Sequence, residues 1–273
     1  MEVRPLLPSQ IAAICLAAVA SGQTAAPKAP PSSDVQTALV AEVRRLALDY
    51  SKSLPNFLCT QITRRSESPV RAGREPSWKL LDTLTIQLSF FEQKENYRVV
   101  NVNGKATDKR LEDLRGFKVK GDFGSLTMAI FEPRRETHFD WDHWGAWNSR
   151  PTAVLSFRIE QAHSVVEGNY MRDGKHVHFV LGCKGQVEVD WETRQVVGVT
   201  VESVDVPAES PVREGQLTVR YGYQKIGERD VLLPLDSATT LSVFGKWTKT
   251  ENQFTGYRMY SADSAISFGD PAK

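Results

Sequence analysis

The sequence predicts an α+β fold that is mostly β. The expected architecture is one large curved antiparallel sheet, a half-barrel. An N-terminal amphipathic helix and two short inserted helices should lie on its concave side. Three observations predict this. Apolar residues recur at helical spacing in one early segment. Beyond residue 53 the apolar period falls from about 3.6 to about 2. The alternation then returns repeatedly between turn signals and two short helix signals.

Residues 11–20, IAAICLAAVA, form an apolar run too short to span a bilayer, which needs about 20 such residues. Arg4 before it and Ala18-Val19-Ala20 at its end fit a cleaved signal peptide over residues 1–22. Ile14 is too bulky for the residue before a lipidated Cys15, so the mature chain should be untethered. Residues 23–33, QTAAPKAPPSS, read as a Pro/Ala/Ser linker. Asp34 is then a candidate N-cap. Val35, Leu39, Val43, Leu46, Ala47 and Tyr50 follow on one helical face. Pro55 should stop that helix near Ser53, because it disfavours helical geometry at Leu54.

Alternation marks the strands. Leu84, Ile86, Leu88 and Phe90 form one apolar row; Leu155, Phe157 and Ile159 form another. Val177, Phe179 and Leu181, then Val187, Val189 and Trp191, then Leu217, Val219, Tyr221 and Tyr223 complete the set. Asn103-Gly104 and Asp173-Gly174 read as tight turns. Asp108 should cap a helix through Leu114, ended by Gly116. Ser125 should cap a second one over Leu126–Phe131, stopped by Pro133. These signals give a single domain over residues 34–268 and a tail over residues 269–273. A helix covers only part of a large concave face, so a lid, a partner or a ligand must fill the rest.

Composition narrows the function classes. The chain carries 34 basic and 33 acidic residues, a net charge of +1. Such balance argues against a nucleic-acid partner, which needs a clustered basic face. Beyond the leader only Cys59 and Cys183 remain. In an oxidising compartment they are a candidate disulfide; two buried free thiols are the equal alternative. GxSxG, HExxH, P-loop and GxGxxG patterns are all absent. No cofactor is implied.

Residues 137–147, THFDWDHWGAW, hold the unusual chemistry. On a regular strand His138, Asp140 and Asp142 share one face, and Phe139, Trp141 and His143 the other. His and carboxylate are suitable metal ligands. His138, Asp140, Asp142 and His143 are therefore candidate ligands, with His176 and His178 as candidates from a second strand. Alternate strand residues stand nearly 7 Å apart, so two neighbours can chelate one ion and three in a row cannot easily do so. Trp141, Trp144 and Trp147 have two readings. They plug the end of the half-barrel, or they form the rim of an apolar binding site.

Four stretches carry a family resemblance. Ser53 to Arg65 (SLPNFLCTQITRR) and Gly121 to Trp144 (GDFGSLTMAIFEPRRETHFDWDHW) are two of them. Gly185 to Val199 (GQVEVDWETRQVVGV) and Val219 to Pro234 (VRYGYQKIGERDVLLP) are the others. They resemble a set of uncharacterised exported proteins common in Acidobacteria. The order of elements is remotely similar to the half-barrel superfamily of outer-membrane lipoprotein carriers (LolA/LolB-like). That resemblance implies binding of an acyl chain or a partner protein in the concavity of the half-barrel. The Trp/His/Asp block of residues 137–147 departs from the carrier pattern. With the export signal, the expectation is a soluble periplasmic or secreted binding protein, not an enzyme, with no transmembrane segment in the mature chain. It would hold a lipid acyl chain or lipoprotein segment in that concavity, with Trp141, Trp144 and Trp147 as the candidate rim. Two alternatives stand: a module that holds an envelope protein, and a metal- or carboxylate-dependent hydrolase built on residues 138–143.

Overall fold

The computed structural model describes residues 29–114, 123–164, 166–172 and 175–260. The leader, the Asp173-Gly174 turn, Gly116 and the tail lie outside these. Helix α1 runs Ser33–Ser53. Strands β1 (Phe57–Pro69), β2 (Lys79–Phe91), β3 (Lys94–Val102) and β4 (Lys105–Ala106) follow. A single 3₁₀ turn covers Leu111–Asp113, and helix α2 covers Ser125–Phe131. Then come β5 (His138–Trp147), β6 (Arg150–Ile159), β7 (Val166–Arg172) and β8 (Lys175–Asp190). Strands β9 (Val196–Val204), β10 (Val212–Ile226), β11 (Arg229–Val243) and β12 (Lys246–Met259) complete the described chain.

All twelve strands join one open antiparallel sheet in the order β4-β3-β2-β1-β12-β11-β10-β9-β8-β6-β5, with β7 paired to β8. The expected half-barrel class holds, and several details differ. Ser32, not Asp34, is the N-cap of α1, and Asp34 sits in the first turn, where its charge complements the helix dipole. Leu54 is extended at φ −67° and ψ 133°, the geometry that Pro55 imposes. The helix expected after Asp108 shrinks to the 3₁₀ turn, because Arg110 is already extended at its start and Leu114 at its end. Gly124, not Ser125, caps α2. It lies at φ 98°, and a Cβ there would meet the Tyr50 ring at 2.5 Å. The rows at 177–181 and 187–191 belong largely to one long strand, β8, which ends at Asp190.

One face of the sheet carries the helices. Leu39, Val43 and Ala47 of α1 and Ile130 and Phe131 of α2 pack on Leu155, Phe157, Val187, Val199, Val219 and Tyr221. The spacing of four in α1 puts its three residues on one stripe facing the sheet. Phe57, Phe90, Phe123, Leu233 and Phe254 form a second cluster, with Phe57 stacked on Phe90 at 5.2 Å. Leu111 and Leu114 cover Leu84, Ile86 and Val99 in a third. The apolar part of the inner face is therefore already filled by the chain itself.

The rest of that face is polar. Gln61 Nε2 donates to Thr63 Oγ1 at 2.9 Å and to Asn252 Oδ1 at 3.1 Å, and Asn252 Nδ2 donates to Ser237 Oγ at 3.0 Å. Arg65 forks onto Asp82 through two bonds of 2.8 and 2.6 Å. These donors leave water with partners in hand, which makes their burial tolerable, although the Gln61 side-chain oxygen is buried without a partner. Among the described residues no helix is long and apolar enough to cross a membrane.

Candidate ligand-binding edge

Strand β5 lies at one end of the sheet order, next to β6. Its register against β6 pairs Phe139 with Phe157 and Trp141 with Leu155. It then shifts, so that His143 faces Val154 and Trp144 faces Ala153. The extra residue is a β-bulge, and it reverses the alternation. Phe157, Leu155 and Ala153 all belong to the buried core. Phe139, Trp141 and Trp144 therefore share the inner side, whereas regular alternation would put Trp144 outside. His143, expected beside Trp141, is carried to the outer side with His138 and Asp140.

The inner side of this edge is an aromatic platform. Phe139 stacks on Phe131 of α2 with centroids 4.8 Å apart. Trp141 and Trp144 meet edge to face at 4.9 Å, and Trp144 meets Trp191 in the same way at 4.8 Å. The Arg194 guanidinium sits 4.1 Å from the Trp191 ring centroid, a cation–π contact. Phe139, Trp141, Trp144 and Trp191 are half-buried, and Phe131 beneath them is fully buried. Trp147 stands apart from that row. It tilts against Tyr223 at 5.9 Å, and the Tyr223 hydroxyl bonds Gln195 at 2.8 Å. So the three predicted tryptophans do not act as one set: two build the platform with Trp191, and the third closes a neighbouring corner.

Beside Tyr223 a crevice of about 110 Å³ opens between α1 and the sheet. Leu46, Tyr50, Val196, Tyr221 and Leu232 line it. The Tyr50 hydroxyl donates to the Leu232 carbonyl at 2.8 Å, and burial pushes its ionisation well above the ordinary phenol range. Tyr50 is thus a neutral donor that pins α1 to β11. The crevice has room for a short apolar end group, not for a whole ligand.

The polar candidates do not converge. His138 pairs with Asp140 at 3.2 Å and His143 with Asp142 at 3.3 Å, as two separate contacts on the exposed side. The Gln186 side-chain amide donates to Asp142 at 2.5 Å. His178 pairs with Glu167 at 3.6 Å on the β7–β8 hairpin. The His176 side chain lies outside the described set. Among the described residues, no three His, Cys, Asp or Glu side chains gather to hold a metal ion. Among the described residues, the candidate ligands do not converge: His138, Asp140, Asp142 and His143 form two separate pairs, and His178 pairs with Glu167 on another hairpin.

The candidate disulfide is corrected as well. Cys59 and Cys183 are free and buried. They sit on β1 and β8, five strands apart in the sheet and on the order of 20 Å along it. A disulfide needs Cα atoms within about 7 Å. Burial, reinforced by Glu95, pushes the Cys59 thiol up to about 12, so it is a packing group rather than a nucleophile. Sequence reasoning missed Arg194 and the joining of Trp191 to the β5 row. Both residues belong to the turn region after Asp190, which folds back toward β5; no local pattern announces that approach.

No protein-family model matches the chain, and no curated protein matches it. The resemblance to exported acidobacterial proteins therefore gains no support. Among solved structures, a LolA superfamily protein from Nitrosomonas europaea aligns over 83% of this chain and 96% of its own. Identity is 9% and the TM-score is 0.39. A DUF1329 family protein from Desulfovibrio piger aligns over 84% and 97%, at 11% identity and a TM-score of 0.34. The chain is thus remotely similar to the LolA superfamily. At these values neither likeness assigns a ligand or a partner to it.

Proposed function

We propose that this chain is an exported, non-enzymatic binding protein. It holds an apolar ligand, a lipid acyl chain or the acylated segment of a lipoprotein, at the β5 edge. The observation that carries the reading is the row Trp141–Trp144–Trp191, three half-buried rings linked in sequence by edge-to-face contacts where the edge strand β5 meets the turn after β8. Contiguous apolar surface left open to water marks a binding face more often than an isolated exposed ring does. A methylene chain laid along the row buries its own surface together with the ring faces. About 80 Å² of such contact contributes about 2 kcal/mol, or roughly 30-fold in affinity. Because α1 and α2 already fill the apolar inner face, the ligand lies at the rim rather than in a deep cavity. Arg194 at the end of the row offers a cation to a carboxylate or phosphate headgroup. The apolar run at residues 11–20 supports export.

Two measurements test this. Organic extraction and mass spectrometry of the purified exported protein should recover acyl lipid. A fluorescent fatty acid should accept energy from tryptophan, and Trp141→Ala with Trp144→Ala should weaken its binding roughly 30-fold. A protein free of lipid that also gives no energy transfer to the probe overturns the reading.

A further inference from the structure

The face of the sheet turned away from the helices carries a dish of about 380 Å³, lined by residues of β5, β6, β8, β9 and β10. Val187, Val189, Val199 and Val219 belong to the core, so their neighbours Glu188, Gly198 and Arg220 point outward. The register sets His143, Val154, Glu188, Gly198 and Arg220 in one row across five strands.

Two glycines shape the dish. A Cβ at Gly145 would stand 2.6 Å from Thr152 Oγ1 and 3.1 Å from Glu188 Oε1. One at Gly198 would stand 3.3 Å from Glu188 Oε2. Gly198 lies between Glu188 and Arg220 in the row, whose strands are two spacings apart, about 10 Å. No side chain fills that gap.

Glu188 is oriented in advance. Thr152, completely buried, donates its hydroxyl to Glu188 Oε1 at 2.7 Å. The other oxygen, Oε2, meets no donor among the described residues. Arg220 turns to β11 instead, where its guanidinium forks onto Asp236 at 2.8 and 2.7 Å. The Arg220 charge is thus matched, and the Glu188 charge is not. Thr200 and Thr218 line the same dish, and their hydroxyls have no protein partner among the described residues. No Phe, Tyr or Trp side chain lines it, so it offers an acyl chain no platform.

An unmatched carboxylate oxygen beside two free hydroxyls suits a group with one positive charge and three N–H donors. A carboxylate already held by a buried hydroxyl loses little freedom when such a group arrives. We propose that the dish binds a small primary amine, with its ammonium on Glu188 Oε2 and within reach of the Thr200 and Thr218 hydroxyls. The site faces away from the tryptophan row and does not depend on the lipid reading.

The test is a titration of isotope-labelled protein with n-butylammonium, followed through the backbone amide signals of Gly145 and Gly198. Both signals should move saturably. Butanol lacks the charge and butyltrimethylammonium lacks the N–H donors, so neither should move them. Glu188→Gln keeps an acceptor for Thr152 and removes the charge. It should weaken binding about tenfold, the size of one charge-assisted hydrogen bond. Gly198→Ala sets a methyl group beside Oε2 and should also weaken binding, with the charge still present. Signals that stay in place with butylammonium overturn the site. Equal binding of butyltrimethylammonium overturns it too, as does unchanged affinity in a folded Glu188→Gln protein. The comparison of the three compounds uses the parent protein alone, so it decides the question even where a variant fails to fold.

Discussion

Asp190 ends β8 with a side chain only 1% exposed. Arg150 forks onto it at 2.6 and 3.0 Å, and the Glu192 and Thr193 backbone N–H groups donate to it at 3.0 and 2.8 Å. Burial pushes its carboxyl up, but Arg150 and Thr193 outweigh burial and hold it below the usual carboxylate range. A depressed carboxyl stabilises the fold above its unfolded value of about 3.9, and the gain is lost as pH falls through the lower folded value. Asp190→Asn should cost about 3 kcal/mol at neutral pH, since Arg150 is left facing a neutral amide. The gap in melting temperature between parent and variant should narrow as pH falls below about 4, readable by calorimetry across pH. An aspartate followed by Thr193 does carry a turn signal, because Asp accepts from N–H groups two and three residues on. Its partner Arg150 lies 40 residues earlier in the chain, so the ion pair itself was not legible.

Gly185, inside β8, shows what one element demands of another. A Cβ there would stand 1.9 Å from the Thr200 carbonyl oxygen on β9 and 3.0 Å from the Phe157 ring on β6. Neither backbone nor packed ring can yield cheaply, so Gly185→Ala should destabilise by about 3 kcal/mol, the upper end of overpacking costs. Urea unfolding would show a lower midpoint with an unchanged slope. Strands such as β2, β6 and β10 were legible because an apolar inner face and a polar outer face produce clean alternation. Strand β12 was not. Its inner side carries buried Thr250 and Asn252 before Phe254, and Asn252 joins the polar network around Gln61, so the apolar alternation there is broken. The bulge in β5 was hidden for another reason. Nothing in HFDWDHW says that Asp142 will be skipped in pairing, because the register is set against β6, which lies outside that segment.

At the scale of the molecule, the half-barrel and its helix-covered face followed from the sequence pattern, but the strand order did not. The chain joins the two halves of its open sheet by pairing β1 with β12, Phe57 opposite Met259, about 200 residues apart. Contacts that distant cost loop entropy before they return any stability. Refolding from urea should therefore be slow, on the order of seconds or longer, with a tryptophan signal from β5 that recovers before the β1–β12 seam. Stopped-flow fluorescence beside pulsed hydrogen exchange would order the two events. The same seam has a consequence during synthesis. Until β12 has emerged, β1 and β11 both present open edges, and open edges recruit other chains. A product cut short before residue 246 should therefore aggregate or be degraded rather than persist as a weaker version of the protein. The pairing of β1 with β12 makes the arrival of β12 a condition of folding.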